Sequence, residues 1–356
     1  MVLIHIANID TSVIGGVQTA VPQMIRAQSQ FATVGFINIH GEEIDGVRML
    51  ELGESLDFSS LPAPFDRPDL VIFHEVYRYK YTKICKILNK NHIPYIVLPH
   101  GCLSREAQKR KFLKKFVANA LFFKRFLKSA AAIQYLSENE AGLSAFKKYP
   151  SFISGNGIRV PNVRKSEFFR SGVRFVYIGR LEIVTKGLDL LIEAVNKCAA
   201  AMRAQGASLE IYGPDYGGEH AVLRQMAKRC GVCDLVTVGD RKIGIEKEEI
   251  LLASDCFIQA SRTEGLPMGP LEALGYGLPC IITHGATLAE IVNSYGAGIP
   301  AETSSDGIAR AILEFLDSKK NIEVMSGAAV RLIEEQYHVD RVAERAVQIY
   351  GGFSAK

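Results

Sequence analysis

The sequence predicts an α/β protein built from two doubly wound, parallel-sheet domains, and three observations carry that reading. With 356 residues the chain exceeds a usual single α/β domain, and its 48% hydrophobic content suffices for two cores. A buried-strand run that feeds a glycine turn and then a helix occurs twice, at the N-terminus and again from Val173. Between the two lies a segment, 149–161, dense in turn formers.

The first opening, Val2-Leu3-Ile4-His5-Ile6-Ala7, leads through Gly15-Gly16 into a helical stretch over 17–30. Two adjacent glycines let the backbone approach a ligand with no side chain in the way. The turn is not the Gly-x-Gly-x-x-Gly dinucleotide fingerprint, which both openings lack, and this counts against a nicotinamide dehydrogenase. Further strands are expected over 34–39, 70–74 and 95–99, with helices between them. His74-Glu75 closes one of these and is a candidate site residue pair. Pro99-His100-Gly101 follows another. A lone histidine is usually a packing residue, but one just past a strand and followed by glycine is a candidate for an active site.

The domain boundary is expected in the turn-rich segment, giving an N-terminal domain 1–160 and a C-terminal domain 161–336. A last helix over 337–356 has Val339, Val342, Ala343, Ala346 and Ile349 at helical spacing. The second opening, 173–178, ends on Gly179-Arg180-Leu181, and Lys186-Gly187 heads a helix with Leu188, Leu191, Ile192 and Val195 on one face. Two cations therefore sit at a strand's C-terminal edge, where open α/β sheets bind ligands. Arginine offers a planar fork to phosphate and lysine a compact point charge, each worth ~1.5–3 kcal/mol in a charge-assisted hydrogen bond. Gly213-Pro214-Asp215 and Gly239-Asp240 also follow strand runs, as pocket lining or as plain turns.

The most informative stretch is Ser261-Arg262-Thr263-Glu264-Gly265-Leu266-Pro267-Met268-Gly269-Pro270-Leu271-Glu272. Its prolines and glycines argue for a loop that becomes a helix near Pro267 or Pro270, with Glu264 on the loop and Glu272 inside the helix. The free amides of that helix start lie between the two acids and suit an anion. Carboxylates flanking a phosphate-binding helix start suit a ligand that is both phosphorylated and polyhydroxylated, which describes a nucleotide-sugar.

This stretch resembles the Glu-x7-Glu signature of the retaining glycosyltransferases of family 4, and Ala273-Leu274-Gly275-Tyr276-Gly277-Leu278-Pro279 continues the family's pattern. The resemblance implies a GT-B fold: two Rossmann-like domains facing a cleft, with the donor held mainly by the second. It gives Arg180 and Lys186 the diphosphate, Glu264 the donor sugar and Glu272 the ribose hydroxyls. Gly179 and the backbone of Gly265, Leu266, Pro267, Met268 and Gly269 become further donor contacts. Gly15 and Gly16 resemble the family's N-terminal glycine loop, and His100 the histidine placed beside the donor sugar. The sequence departs from the family at His284-Gly285-Ala286-Thr287, where paired glycines are frequent.

The resemblance also implies retention of configuration, with the acceptor attacking on the leaving group's face. No Asp-x-Asp occurs, so no metal and no cofactor is expected, and leaving-group charge falls to Arg180, Lys186 and helix-start amides. The implied reaction moves a sugar from a UDP- or GDP-sugar to a hydroxyl of a glycan, lipid-linked, in bacterial surface-polysaccharide assembly. A sugar-nucleotide epimerase and a non-catalytic assembly protein are the rival readings for the same architecture.

Composition bears on setting and partners. The seven cysteines are scattered and odd in number, which reads as reduced thiols, and Cys230-Gly-Val-Cys233 lacks the second pair a zinc site needs. No charged leader precedes an apolar core and no run approaches the ~20 apolar residues that span a bilayer, so the expected location is the cytoplasm. Residues 105–128 hold nine basic residues and one acid, a local charge of +8 in a chain of +4. Interleaved phenylalanines and leucines make this a basic, apolar helical stretch suited to the anionic inner face of a membrane. Nucleic acid is not expected, because no binding motif accompanies the charge.

Overall fold

The computed structural model describes residues 1–12, 16–109, 112–169 and 172–354. Backbone contacts divide the chain into two units, Met1–Gly157 with Val339–Lys356, and Ile158–His338.

The first unit contains six strands: β1 (Val2–Ala7), β2 (Thr33–Asn38), β3 (Leu70–His74), β4 (Tyr95–Leu98), β5 (Ala132–Tyr135) and β6 (Ser151–Ile153). They form one parallel sheet in the order β2-β1-β3-β4-β5-β6. Its central strands are nearly continuous apolar runs because helices cover both faces. Sequence reading anticipates neither β5 nor β6. The latter is a three-residue edge strand inside the turn-rich segment, paired with β5 (Ile133 opposite Ser151); its Phe152 and Ile153 favour a strand, but the run is too short to stand out among turn formers.

Side chains alternate across a strand, so Leu3, His5 and Ala7 share a face with Leu70, Ile72 and His74. Helices Gly16–Gln28 and Val339–Gly351 cover that face through Val21, Ile25, Ala346 and Tyr350. The two helices meet on Ala27, Val339 and Ala343, small side chains that let them pack closely. Tyr81, Tyr95 and Phe126 fill the opposite face.

The basic stretch is not one helix. It is built from Arg105–Lys109, Phe112–Ala118, a wider π turn over Asn119–Phe123, and Lys124–Ser129; Arg110 and Lys111 lie outside the described residues. Phe123, Phe126 and Leu127 point into the core, whereas Phe112, Leu113, Phe116 and Leu121 are exposed by 59, 77, 60 and 64%. Among the described residues no helix is long and apolar enough to cross a membrane.

The second unit repeats the architecture with β7 (Arg174–Ile178), β8 (Ser208–Tyr212), β9 (Val236–Gly239), β10 (Cys256–Gln259), β11 (Cys280–Thr283) and β12 (Gly298–Ala301). The parallel order is β12-β11-β10-β7-β8-β9. From β7 the chain winds first to β8 and later to β10 on the other side, so the switch point lies between β10 and β7. Both sheets are doubly wound, as the sequence predicts.

Candidate active site

In the second unit the sequence signals converge on this switch point. Gly179 and Arg180 leave the end of β7, and the loop bearing Glu264 leaves the end of β10. A single helical turn, Ile183–Lys186, follows Arg180 and closes on Gly187 at φ 65°. A Cβ at Gly187 would lie 2.0 Å from the Ala260 carbonyl, so only glycine lets this turn rest against the end of β10. The contact carries the largely buried Lys186 ammonium onto the Glu264 carboxylate; the two side chains are 11 and 19% exposed.

Arg262 fastens the same two loops. Its guanidinium makes two 2.7 Å bonds to the Asp189 carboxylate, it donates to Val184 O at 2.8 Å, and its backbone N–H donates to Thr185 O at 3.0 Å. The loop after β11 closes a third side. Glu264 N donates to Gly285 O at 2.9 Å, and the Thr287 hydroxyl donates to Gly265 O. A Cβ at Gly285 would sit 2.2 Å from Ser261 O and 2.6 Å from Arg262 O, so this departure from the family pattern keeps the glycine the site needs. The Ser261 hydroxyl lies 3.5 Å from Glu264 Oε2 and receives the Gln259 amide at 2.6 Å.

Helix Met268–Gly275 begins after Pro267, whose ring supplies no capping hydrogen bond. Its start lies on the switch point: a Cβ at Gly269 would be 3.0 Å from Phe257 on β10 and 3.1 Å from Ile178 O on β7. Glu272, one turn in, pairs with Lys247 of helix Gly244–Ala253 and not with Glu264. Leu266 and Met268 pack on the core beneath. Arg180 does not join Lys186; its guanidinium, 56% exposed, bonds Glu182 at 2.5 Å, while the Tyr177 hydroxyl holds its carbonyl at 2.8 Å.

Gly213 touches this centre, since a Cβ there would lie 2.0 Å from Gly179 O. Asp215 is instead spent on structure, accepting Gly218 N at 2.6 Å and Glu219 N at 2.8 Å at the head of helix Glu219–Arg229. Asp240 is exposed, 3.6 Å from His220.

In the first unit His100 stands just past β4, in a left-handed turn with Gly101 (φ 49° and 81°). Buried Glu140 clamps this turn, accepting Gly101 N at 2.5 Å and Leu136 N at 2.7 Å. Burial raises the Glu140 pKa while these two backbone bonds oppose the rise. His74 does not face an acceptor. It is fully buried, with Nδ1 3.0 Å from His100 Nε2 and Nε2 2.9 Å from His5 Nδ1. His5 Nε2 in turn meets Gln28 Oε1 at 2.8 Å. Burial lowers His5 and His100 to about 4 and His74 well below the usual value, so all three are neutral near pH 7. Gly15 lies outside the described residues, and Gly16 begins its helix where a Cβ would meet nothing within 4 Å.

Lys247, Arg262, Thr287 and Glu140 are not singled out from sequence. Only Glu140 has a local signal: Ser137-Glu138-Asn139-Glu140 reads as a capping box, and Ser137 does accept Glu140 N at 3.1 Å. Among the described residues one trio of metal-ligating types converges, Asp10, His40 and Glu42, and its histidine turns opposite ring nitrogens to the two acids at 3.8 and 3.5 Å.

Residues 161–331 match the family model for glycosyl transferases group 1. The GDP-mannose-dependent alpha-(1-6)-phosphatidylinositol monomannoside mannosyltransferase of Mycobacterium tuberculosis is 29% identical over 201 residues, 52% of this chain and 50% of that protein. The chain thus spans about half the length of this curated relative. HepE of Anabaena, solved with UDP-glucose, superposes with a TM-score of 0.72 at 14% identity, covering 99% of this chain and all of that one (100%). WaaG, a glycosyltransferase involved in lipopolysaccharide biosynthesis, gives 0.66 at 15% identity over 99% and 100% of the two chains. The two six-stranded parallel sheets with flanking helices are the fold class of these GT-B proteins.

Proposed function

We propose that this chain, a member of the group 1 glycosyl transferases over residues 161–331, is a retaining, metal-independent glycosyltransferase. It moves a sugar from a UDP- or GDP-sugar to a hydroxyl of a glycan. The observation that carries the proposal is Lys186 held on Glu264 at the joined ends of β7 and β10, with the helix start of Met268–Gly275 on the same switch point.

In the reaction the bond from the anomeric carbon to the diphosphate breaks. The acceptor oxygen bonds that carbon on the same face, and its proton passes to the departing phosphate oxygen. Lys186, Arg180 and the helix-start amides stabilise the charge growing on the diphosphate; the amides are fixed by the helix, whereas the two cations first leave Glu264 and Glu182. Glu264, released as Lys186 turns to phosphate, accepts hydrogen bonds from the donor sugar. Glu272 accepts from the ribose, and His100 contacts the sugar. Both UDP and GDP stay in play because HepE is solved with UDP-glucose and the mycobacterial relative depends on GDP-mannose.

The acceptor is a lipid-linked glycan of bacterial surface polysaccharide, met on the inner face of the cytoplasmic membrane. Exposed Phe112, Leu113, Phe116 and Leu121 among Lys114, Lys115 and Lys124 support this, since apolar insertion combined with positive charge suits an anionic bilayer.

Calorimetric titration with EDTA present, against UDP, GDP, ADP and their common sugars, tests the proposal. One nucleotide should bind, and more weakly to Glu272→Ala and Arg180→Ala. Binding to none of them refutes the donor site. Donor turnover without an acceptor marks an epimerase, and tight binding without turnover marks a non-catalytic protein.

A further inference from the structure

We propose that His74 and His5 are positioning residues: with Gln28 they form a hydrogen-bonded file that fixes which ring nitrogen of His100 carries its proton. The inference rests on the reading above that His100 contacts the donor sugar.

The file follows from sheet topology. β1, β3 and β4 are neighbours, and His5, His74 and His100 fall on or just past them with the same alternation, on the face covered by helix Gly16–Gln28. Contacts of 2.8, 2.9 and 3.0 Å run from Gln28 to His100 without a gap. The rings are stacked, with centroids 5.2 and 5.3 Å apart and planes inclined by 19° and 26°. Apart from His5 and His74, strands β1 and β3 carry only apolar residues.

A neutral imidazole has one N–H and one lone pair, so each contact dictates the next. Gln28 Oε1 can only accept, which puts the His5 proton on Nε2 and leaves His5 Nδ1 to accept from His74 Nε2–H. His74 Nδ1 then accepts from His100 Nε2–H. The remaining nitrogen of His100, Nδ1, is left with its lone pair and can take a hydrogen bond from a sugar hydroxyl. If the Gln28 amide turned over, every proton in the file would change nitrogen and His100 would present an N–H instead. The orientation of one amide three contacts away in the file therefore sets whether His100 accepts or donates. Burial disfavours a third state, with a proton added to the file. Among the described residues the Gln28 nitrogen finds no partner, and the amide is held by the His5 contact together with the Tyr350 hydroxyl.

The test is imidazole 1H–15N correlation spectroscopy on the full chain at neutral pH, beside steady-state kinetics with the donor identified by titration. The expected spectrum has His100 protonated on Nε2 and bare on Nδ1. His74→Phe keeps the ring and its stacking but cuts the file. It should give mixed His100 tautomers and a kcat lower by roughly tenfold, the lower end of what orienting partners of functional histidines are worth, with little change in donor KM. His74→Gln, which restores a donor and an acceptor, should recover part of both, and Gln28→Met should mimic His74→Phe. A wild-type His100 protonated on Nδ1 overturns the assignment without any variant. So does a folded His74→Phe with unchanged tautomer and kcat. A changed tautomer with unchanged kcat upholds the file and refutes instead the contact between His100 and the sugar.

Discussion

Glu264→Gln should raise affinity for the bare nucleoside diphosphate while lowering the rate of sugar transfer. Lys186 is committed to Glu264, in a pair shielded enough (11 and 19% exposed) that screening by water is incomplete. A diphosphate that recruits Lys186 must first break this contact, a charge-assisted bond worth ~1.5–3 kcal/mol net. The glutamine amide keeps the shape but removes the competing negative charge. If about half of the lower value is recovered, Kd falls roughly three- to fourfold; full recovery gives about tenfold. The transfer step loses the carboxylate that the donor sugar would engage, and kcat should drop by ~10²-fold, the scale for one preorganised polar group. Calorimetry with UDP and GDP gives the first number and a transfer assay the second. Weaker diphosphate binding in Glu264→Gln, with the fold intact by circular dichroism, would refute the exchange of partners and leave the Lys186 contact as a structural strut.

Three other outcomes follow from the same geometry. Gly285→Ala drives a methyl to 2.2 Å from Ser261 O, which is backbone and cannot step aside, so the second unit should lose ~1–3 kcal/mol and its thermal midpoint should fall by roughly 2–4 °C per kcal/mol. A midpoint within 1 °C of wild type would contradict the closeness of these loops. Acid should destabilise the first unit: His5 and His100 bind a proton near pH 6.5 when unfolded but only near 4 when folded, so stability is complete above 6.5 and is lost as pH falls toward 4. Between pH 7 and 5 this amounts to about 2 kcal/mol per histidine, read from thermal unfolding, and His5→Gln should flatten the slope. Leu113→Ser with Phe116→Ser should reduce cosedimentation with anionic vesicles, as should high salt, while neutral vesicles bind little in any case; equal binding to both vesicle types refutes the basic surface.

The fold class was legible because both sheets are parallel and buried on both faces, which leaves long apolar runs such as Leu70–His74 followed by glycine or helix signals. The edge strand Ser151–Ile153 was not, since three residues among turn formers are too few to show a strand pattern and only the pairing with β5 marks them as one. Within the site, Lys186 and Glu264 were legible as a pair of motifs but not as partners: they are 78 residues apart, and only the switch point between β7 and β10 joins them. Arg180 and Lys186 are close in sequence, yet the turn at Ile183–Lys186 sends the two cations to different acids. The histidine file was invisible because its members come from three strands that are adjacent in space only. His74 and His100 stand out only singly, each as a residue at a strand end, and His5 only as a polar residue in an apolar run.

The two acids of the motif differ in what their lysines do. Glu264 is paired with a residue the diphosphate itself should want. Glu272 is paired with Lys247, which stands on another helix and steadies the start of Met268–Gly275. A carboxylate has about four acceptor positions, so Glu272 can keep Lys247 on Oε2 and still accept from a diol. No exchange of partners is needed, and the lysine acts by holding the acid in place. Lys247→Met should therefore weaken nucleotide binding by about three- to tenfold and raise donor KM to match, with kcat nearly unchanged, the mark of an interaction made equally in ground and transition states. The loss should shrink with a 2′-deoxynucleotide, which already lacks one hydroxyl for Glu272. A kcat effect as large as the KM effect, or an equal loss with the deoxynucleotide, would detach Glu272 from the ribose and make the pair a purely structural brace.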